Sequence, residues 1–335
     1  KELLKFNYMK NYIPFLFLFL IVLPAKAQDT IRYLEHKEGG IHYSFQQNDN
    51  QIEGFVSSDT GFQAFTGKKL NEYRVTLFDA FTNKPLDALP FELSKADKTG
   101  VVFSKFSDSA KFRLDNNDSS PGGNFRLTLV TPHLPESSKT NKIYTSIVKM
   151  LTNNTTSDYI AFNQLFSSLS NKFKDQYFSA NQELYNNYGD ECYACNWKNF
   201  YHVSPLYFDE SRLSVNISKY AFTGGAHGML HNTVVNFDLD TGDLVSLDSL
   251  LDKPEMEKLN KLINQNLREK NSLQPEQSLR SAGFLNDEVE ISSNYCITRS
   301  GIKFIYNPYE IAPYAMGVVT VFIPFNELNA LELNN

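Results

Sequence analysis

The stretch Phe222–His231, FTGGAHGMLH, lies between two segments that have the alternating composition of β-strands. Its three glycines argue against a helix, because glycine is among the weakest helix formers. Glycine also adopts backbone conformations that other residues avoid, so Gly224 and Gly225 predict a tight turn between neighbouring strands. In this interpretation, His227 hydrogen-bonds into the turn and the segment serves to bend the main chain.

The two histidines of this stretch suggest a metal site at first sight, since His227 and His231 have the spacing of ligand pairs on helices. On a strand, residues four apart are separated by about 13 Å at ~3.3 Å per residue, too far for both imidazoles to reach one Zn²⁺. The sequence has no H-E-x-x-H motif, and TGGAHG lacks the Lys-Ser/Thr of a phosphate-binding loop. We therefore predict neither a metal nor a cofactor here.

The segments around the turn predict helices and strands together. Apolar residues fall three and four apart from Phe162 to Tyr177, and Asp252-Lys-Pro-Glu255 is a capping box that begins a second helix. The remaining apolar runs alternate as strands do and include hairpin turns at Asp240-Thr-Gly242 and Arg299-Ser-Gly301. The predicted fold class is α+β, with helices packed on one face of an antiparallel sheet.

The N-terminal part of the chain alternates with a period of two. The runs 73–79, 101–106, 111–114 and 125–131 predict short strands, and Asp115–Asn124 predicts a loop. A chain of 335 residues exceeds one typical domain. We predict an antiparallel β module over residues 28–135, a linker at 131–141, and an α+β domain over residues 142–333.

The first 27 residues have the pattern of a secretory signal peptide. Met9 is the expected start, followed by Lys10, the apolar run Ile13–Pro24 and the small-x-small site Ala25-Lys-Ala27. Cleavage near Ala27 predicts a periplasmic or secreted protein without an integral membrane segment. The net charge of −6 and the lack of a basic tract make nucleic acid an unsuitable partner.

The three cysteines comprise the pair Cys192 and Cys195, in C-x-x-C spacing, and a single Cys296. Outside the cytosol this pattern favours a Cys192–Cys195 disulfide that fixes a loop, with Cys296 buried and inert. A redox dithiol and a structural zinc site are the alternatives. Aromatic residues surround the pair and form either core or an exposed binding platform; they are Tyr185, Tyr188, Tyr193, Trp197, Phe200 and Tyr201.

Several segments occur together in the order found in one known group of exported domains: the strand 212–222, TGGAHG, the hairpin 237–251, and NPYEIAPYAMG at 307–317. On these residues, the span Lys142–Leu333 resembles the extracellular domain of RsiV-type anti-sigma factors. It also resembles the domain that precedes the catalytic domain of PdaC-type peptidoglycan deacetylases, DUF3298 with a DUF4163-like region. The matching motif positions are Thr223, Gly224, Gly225, Ala226, His227 and Gly228, then Tyr309, Pro313, Tyr314 and Gly317.

The resemblance implies a non-catalytic α+β domain of the cell envelope. In the anti-sigma factors the similar domain captures lysozyme, and in the deacetylases it accompanies an enzyme that acts on wall glycan. We predict an exported binding module that recognises a lysozyme-like protein or a peptidoglycan-related ligand, with both motif blocks at the border of a surface groove. The alternative is a hydrolase of wall glycan or peptide, or a deacetylase-associated enzyme, that uses His227 with Asp238 or Asp240.

Overall fold

The computed structural model describes residues 30–38, 41–48, 51–58, 61–69, 75–79, 102–115, 117–132, 136–153, 160–298 and 301–328. The expected signal peptide at 1–27 lies outside these residues. Within them, no helix has both the length and the apolar character needed to cross a membrane.

In the described part of the chain, thirteen strands form two sheets. The larger sheet has ten strands in the order β10-β9-β8-β7-β6-β1-β2-β3-β4-β5. The bounds of these strands are β1 Thr30–Glu38, β2 Ile41–Asn48, β3 Gln51–Ser58, β4 Gly61–Lys69, β5 Val75–Asp79, β6 Val102–Arg113, β7 Gly122–Pro132, β8 Trp197–Phe208, β9 Arg212–Thr223 and β10 Met229–Asp238.

Two helices, α1 (Ser138–Leu151) and α2 (Phe162–Tyr188), connect β7 to β8. Such a helical crossover returns the chain in its original direction, so β7 and β8 pair in parallel, whereas all other neighbours in this sheet are antiparallel. The α+β fold class is thus confirmed, but the sheet is mixed rather than antiparallel throughout.

The helices α1 and α2 cover one face of the larger sheet. Strand residues alternate between faces, and Phe125, Leu127 and Leu129 of β7 point into a buried core beneath the helices. The predicted stripe of α2 supplies its side of that core, with Leu165, Leu169, Phe173 and Tyr177 all buried. Among the described residues, no helix packs on the opposite face of the sheet at the β6–β9 end.

The smaller sheet is antiparallel and forms a second core with α3. Its strands are β11 Tyr295–Ile297, β12 Gly301–Tyr306 and β13 Val319–Pro324, followed by the short helix α4 Phe325–Leu328. The helix α3 runs Lys253–Lys270 and has the predicted capping box, because Asp252 accepts from the Glu255 N–H and Glu255 accepts from the Asp252 N–H. Its residues Leu259, Ile263 and Leu267 pack against β12 and β13.

Asparagine side chains join the two sheets at the outer edge of β10. The amide of Asn307 accepts from the Asn232 N–H (2.7 Å) and donates to the Asn232 carbonyl (3.0 Å), as a neighbouring strand would. The N–H of Val234 donates to the side-chain amide oxygen of Asn294 (3.1 Å). The side-chain amide of Asn236 donates to the carbonyl of Tyr295 (2.8 Å). These bonds satisfy backbone groups that would otherwise be buried without partners.

Several sequence-based boundaries differ from the structure. The helix α1 was missed, because residues 131–141 read as a linker, whereas Ser137 caps a helix by accepting from the Thr140 N–H. The runs 101–106 and 111–114 belong to one strand, β6, and the loop predicted to end at Asn124 gives way to β7 at Gly122. The strands β6 and β7 also share the sheet of β8; the division into two domains stays a prediction.

Candidate functional site

The glycine-rich stretch connects β9 to β10, which pair in antiparallel register from Ala221–Met229 to Arg212–Asp238. Thr223 ends β9, and residues 224–228 form the turn. Gly224 has φ +85°, a conformation that L-residues with a Cβ rarely adopt. A Cβ at Gly224 would also overlap the carbonyl oxygen of Ala194. The predicted turn is therefore present, and it rests against the loop that contains the cysteines.

Gly228 connects the first motif block to the second. Its carbonyl oxygen accepts from the Tyr314 hydroxyl (3.0 Å), although the two residues are 86 positions apart. The Nδ1 atom of His227 lies 3.1 Å from the same oxygen, and a carbonyl only accepts, so this bond requires a proton on Nδ1. Gly228 is itself packed closely, since a Cβ there would overlap the Tyr220 side chain.

The two motif blocks meet in a stack of rings, which we call the aromatic ladder: His227, Tyr314 and Tyr309. The His227 and Tyr314 rings stack with centroids 3.9 Å apart and planes inclined by 19°. Tyr309 follows at 5.8 Å from Tyr314 and is 51% exposed. The ladder therefore presents aromatic surface to solvent at one end of the larger sheet.

Tyr309 is held in an unusual backbone conformation, with φ +70°. For a residue with a Cβ, this left-handed backbone conformation costs roughly 1–2 kcal/mol. The turn is maintained by the Tyr309 N–H donating to Ala312 (3.0 Å) and by the Asn307 N–H donating to the Glu310 carboxylate (2.7 Å). The fold thus fixes an exposed aromatic residue in a position that its backbone does not prefer.

The residues named for the hydrolase alternative are not brought together. His227 precedes β10, whereas Asp238 ends that strand, and nine residues of extended chain span about 30 Å at ~3.3 Å per residue. The Asp238 carboxylate instead accepts from the Thr241 N–H (2.8 Å) and fixes the hairpin turn that contains Asp240. Within the described residues, no group of three or more His, Cys, Asp or Glu side chains has a geometry that could hold a metal ion.

The loop that contains Cys192 and Cys195 packs against the motif turn, with Ala194 next to Gly224. Cys192 and Cys195 form a disulfide with an S–S distance of 2.01 Å, and both are buried. Cys296 is a free, buried thiol, and burial raises its pKa to about 11, so it remains protonated at neutral pH and a poor nucleophile.

The aromatic residues near the cysteines do not form one platform. Trp197 is half-buried and packs on Tyr177 of α2, with ring centroids 5.9 Å apart. Tyr193 and Tyr188 are exposed by 81% and 63%, respectively. Phe200 stacks on Tyr220 at 6.0 Å, on the sheet face opposite to the helices.

The asparagines at the β10 edge were missed by sequence reasoning. The signal was present in Asn232-Thr-Val-Val-Asn236, where two amides occupy positions on one face of an apolar strand. Both asparagines are buried, and buried polar groups are almost always hydrogen-bonded. Asn232 bonds Asn307, in a loop, and Asn236 bonds Tyr295 and Ile297 of β11, so both sets of partners depend on the position of the second sheet.

Comparison with known proteins identifies a domain of unknown function. Residues 248–326 match the family described as "Protein of unknown function (DUF3298)", so this part of the chain is a DUF3298 family domain. The matched range contains Tyr309 and Tyr314 of the ladder.

Solved structures of the same family are similar to this chain. A DUF3298 family member from Bacteroides fragilis NCTC 9343 is 20% identical, with a TM-score of 0.61, over 68% of this chain and 91% of that chain. A DUF3298 family protein from Pseudomonas aeruginosa PAO1 is 17% identical, with a TM-score of 0.47, over 69% of this chain and 93% of that chain. The first likeness shows a shared fold. A search of curated proteins finds no match.

Proposed function

We propose that the chain is an exported, non-catalytic binding module of the bacterial cell envelope, and that the aromatic ladder belongs to its ligand-binding surface. The observation that carries the proposal is the convergence of the two motif blocks. They are distant in sequence, yet they meet as stacked and partly exposed rings. Stability alone does not require Tyr309 to be exposed in a left-handed conformation, and such local strain concentrates at functional positions.

The ladder suits a ligand that offers flat apolar surface. Tyrosine and histidine rings combine an apolar face with a polar edge, and such rings are enriched where proteins contact other molecules. The resemblance to RsiV-type and PdaC-type domains suggests the ligand classes, namely a lysozyme-like protein or a peptidoglycan fragment. The non-catalytic role is supported by His227, whose Nδ1 proton is engaged by a main-chain carbonyl and whose ring face is covered by Tyr314.

Calorimetric titration of the chain with lysozyme and with purified disaccharide-peptide fragments of peptidoglycan tests this proposal. We expect at least one of them to bind, and Tyr309→Ala to weaken that binding by about 30-fold, since an aromatic hot spot contributes ~2 kcal/mol or more. Leu244→Ala is the matched control, because Leu244 is an apolar side chain of similar exposure, 52%, beyond the opposite end of β10.

Two results would contradict the proposal. One is that wild-type protein binds neither ligand, or binds equally well after Tyr309→Ala. The other is turnover of peptidoglycan that disappears in His227→Ala, which would make the chain an enzyme.

A further inference from the structure

The helix-free face of the larger sheet carries a row of stacked side chains. Arg126, Phe200 and Tyr220 occupy adjacent positions on β7, β8 and β9 in the strand register. The Arg126 guanidinium lies 5.3 Å from the Phe200 ring centroid, and Phe200 stacks on Tyr220 at 6.0 Å. The contact with the ring favours this position of the guanidinium before any ligand arrives. Its N–H fork matches a carboxylate.

This face is cationic although the chain as a whole is acidic. Lys111 and Lys198 lie in the row next to Arg126, on either side of β7, and all three cations are exposed. The alternate positions of 107–111, 124–128, 198–202 and 218–222 that share this face include no aspartate or glutamate. Among the described residues, no ion pair engages these three cations.

The row continues into the aromatic ladder. Tyr220 packs against Gly228, whose carbonyl accepts from Tyr314. Tyr220 of the stacked row and Tyr314 of the ladder therefore both contact Gly228.

We infer that this face binds a carboxylate-bearing glycan, with Arg126 and Lys198 as its anion contacts. This inference rests on the proposed binding function and names its ligand class. The other positions of the face are mostly short hydroxyl and amide side chains, including Ser109 and Asn124, a composition suited to hydrogen bonds with sugar hydroxyls. Protein interfaces are depleted in serine and lysine, and the net charge of −6 disfavours nucleic acid, so an anionic sugar chain fits best.

The test compares a hexamer of galacturonate with its fully methyl-esterified form, in which every carboxylate is replaced by an uncharged ester. Calorimetry with wild-type protein at low salt should show binding of the acid and at least tenfold weaker binding of the ester. The variant Arg126→Gln/Lys198→Gln should lose about tenfold or more in affinity for the acid, the change that follows from losing a charge-assisted hydrogen bond of ~1.5 kcal/mol.

The control variant Lys172→Gln/Lys174→Gln removes the same charge from exposed positions of α2, on the helix side of the sheet. It should bind the hexamer as wild type does, and circular dichroism should show that both variants fold. Equal binding of acid and ester, an equal loss in both variants, or no binding of the acid would overturn the inference. Tighter binding of poly-glutamate of similar charge would assign the face to an acidic protein and also overturn it.

The two proposals fail separately. If Tyr309→Ala abolishes binding of lysozyme or peptidoglycan fragments while the galacturonate hexamer does not bind, only the glycan inference is lost. If the hexamer binds through Arg126 and Lys198 but Tyr309→Ala changes no affinity, the ladder is not the binding surface.

Discussion

Replacing Asn307 by leucine should test the junction between the two sheets. The Asn307 amide is 5% exposed and bonds both the N–H (2.7 Å) and the carbonyl (3.0 Å) of Asn232 at the edge of β10. Leucine has a similar size and no polar atom. The substitution therefore leaves two buried backbone groups without partners and keeps the volume filled.

The magnitude follows from these two groups. Each unsatisfied buried donor or acceptor costs about 1–3 kcal/mol, and the apolar leucine recovers part of that through burial. We expect the free energy of unfolding to fall by about 2–4 kcal/mol. Urea unfolding followed by fluorescence measures this as a lower midpoint at an unchanged m-value.

The control is Asn286→Leu at an exposed loop position, where surface substitutions change stability by less than ~0.5 kcal/mol. If Asn307→Leu were as stable as this control, the bonds to β10 would not hold the sheets together, and our account of the junction would be wrong. A change in the m-value would indicate that the substitution alters the denatured state or the two-state character of unfolding.

Two further predictions concern turns. Gly224→Ala should lower the free energy of unfolding in urea by about 2–4 kcal/mol, because it adds left-handed strain of ~1–2 kcal/mol and an overlap with the backbone of Ala194. The control Gly225→Ala, whose Cβ meets no atom within 4 Å, should be nearly neutral. Equal effects of the two substitutions would refute the argument. Asp209 is partly buried, which raises its pKa, but hydrogen bonds from Tyr207 and the following turn outweigh this and lower it overall. Its stabilisation is therefore present above the unfolded pKa of ~3.9 and lost as the pH falls through the lower folded value. Asp209→Asn should lower the free energy of unfolding by about 1–2 kcal/mol at pH 7, and the variant should lose less stability than wild type as the pH falls. If plots of unfolding free energy against pH were parallel for variant and wild type from pH 7 to 3, this prediction would be wrong.

Local signals predicted the elements that depend on local physics. The α3 helix begins at its capping box because Asp252 and Glu255 satisfy backbone N–H groups within one turn. The buried face of α2 was predictable because its apolar residues repeat with the helical period. The spacing of Ile143, Ile147 and Leu151 is equally typical of the α1 helix, but the polar stretch before them has the composition of a linker.

The candidate site was predictable only in part. The motif residues and the turn at Gly224 could be named because glycine has a conformational preference of its own. The contact between the blocks could not, because it depends on how the second sheet docks on β10. The cationic row was also hidden, since Arg126, Phe200 and Tyr220 become neighbours only through the register of three strands.

The sequence by itself determined where this chain turns, which helices are capped and which faces of them are apolar, because those properties arise within a few residues. Only the tertiary structure decided that β7 and β8 run in parallel, that asparagines close the edge of β10, and that His227 stacks on Tyr314. These contacts join distant residues, and each depends on strand register and sheet docking. Both are set by the packing of the two cores rather than by any local preference.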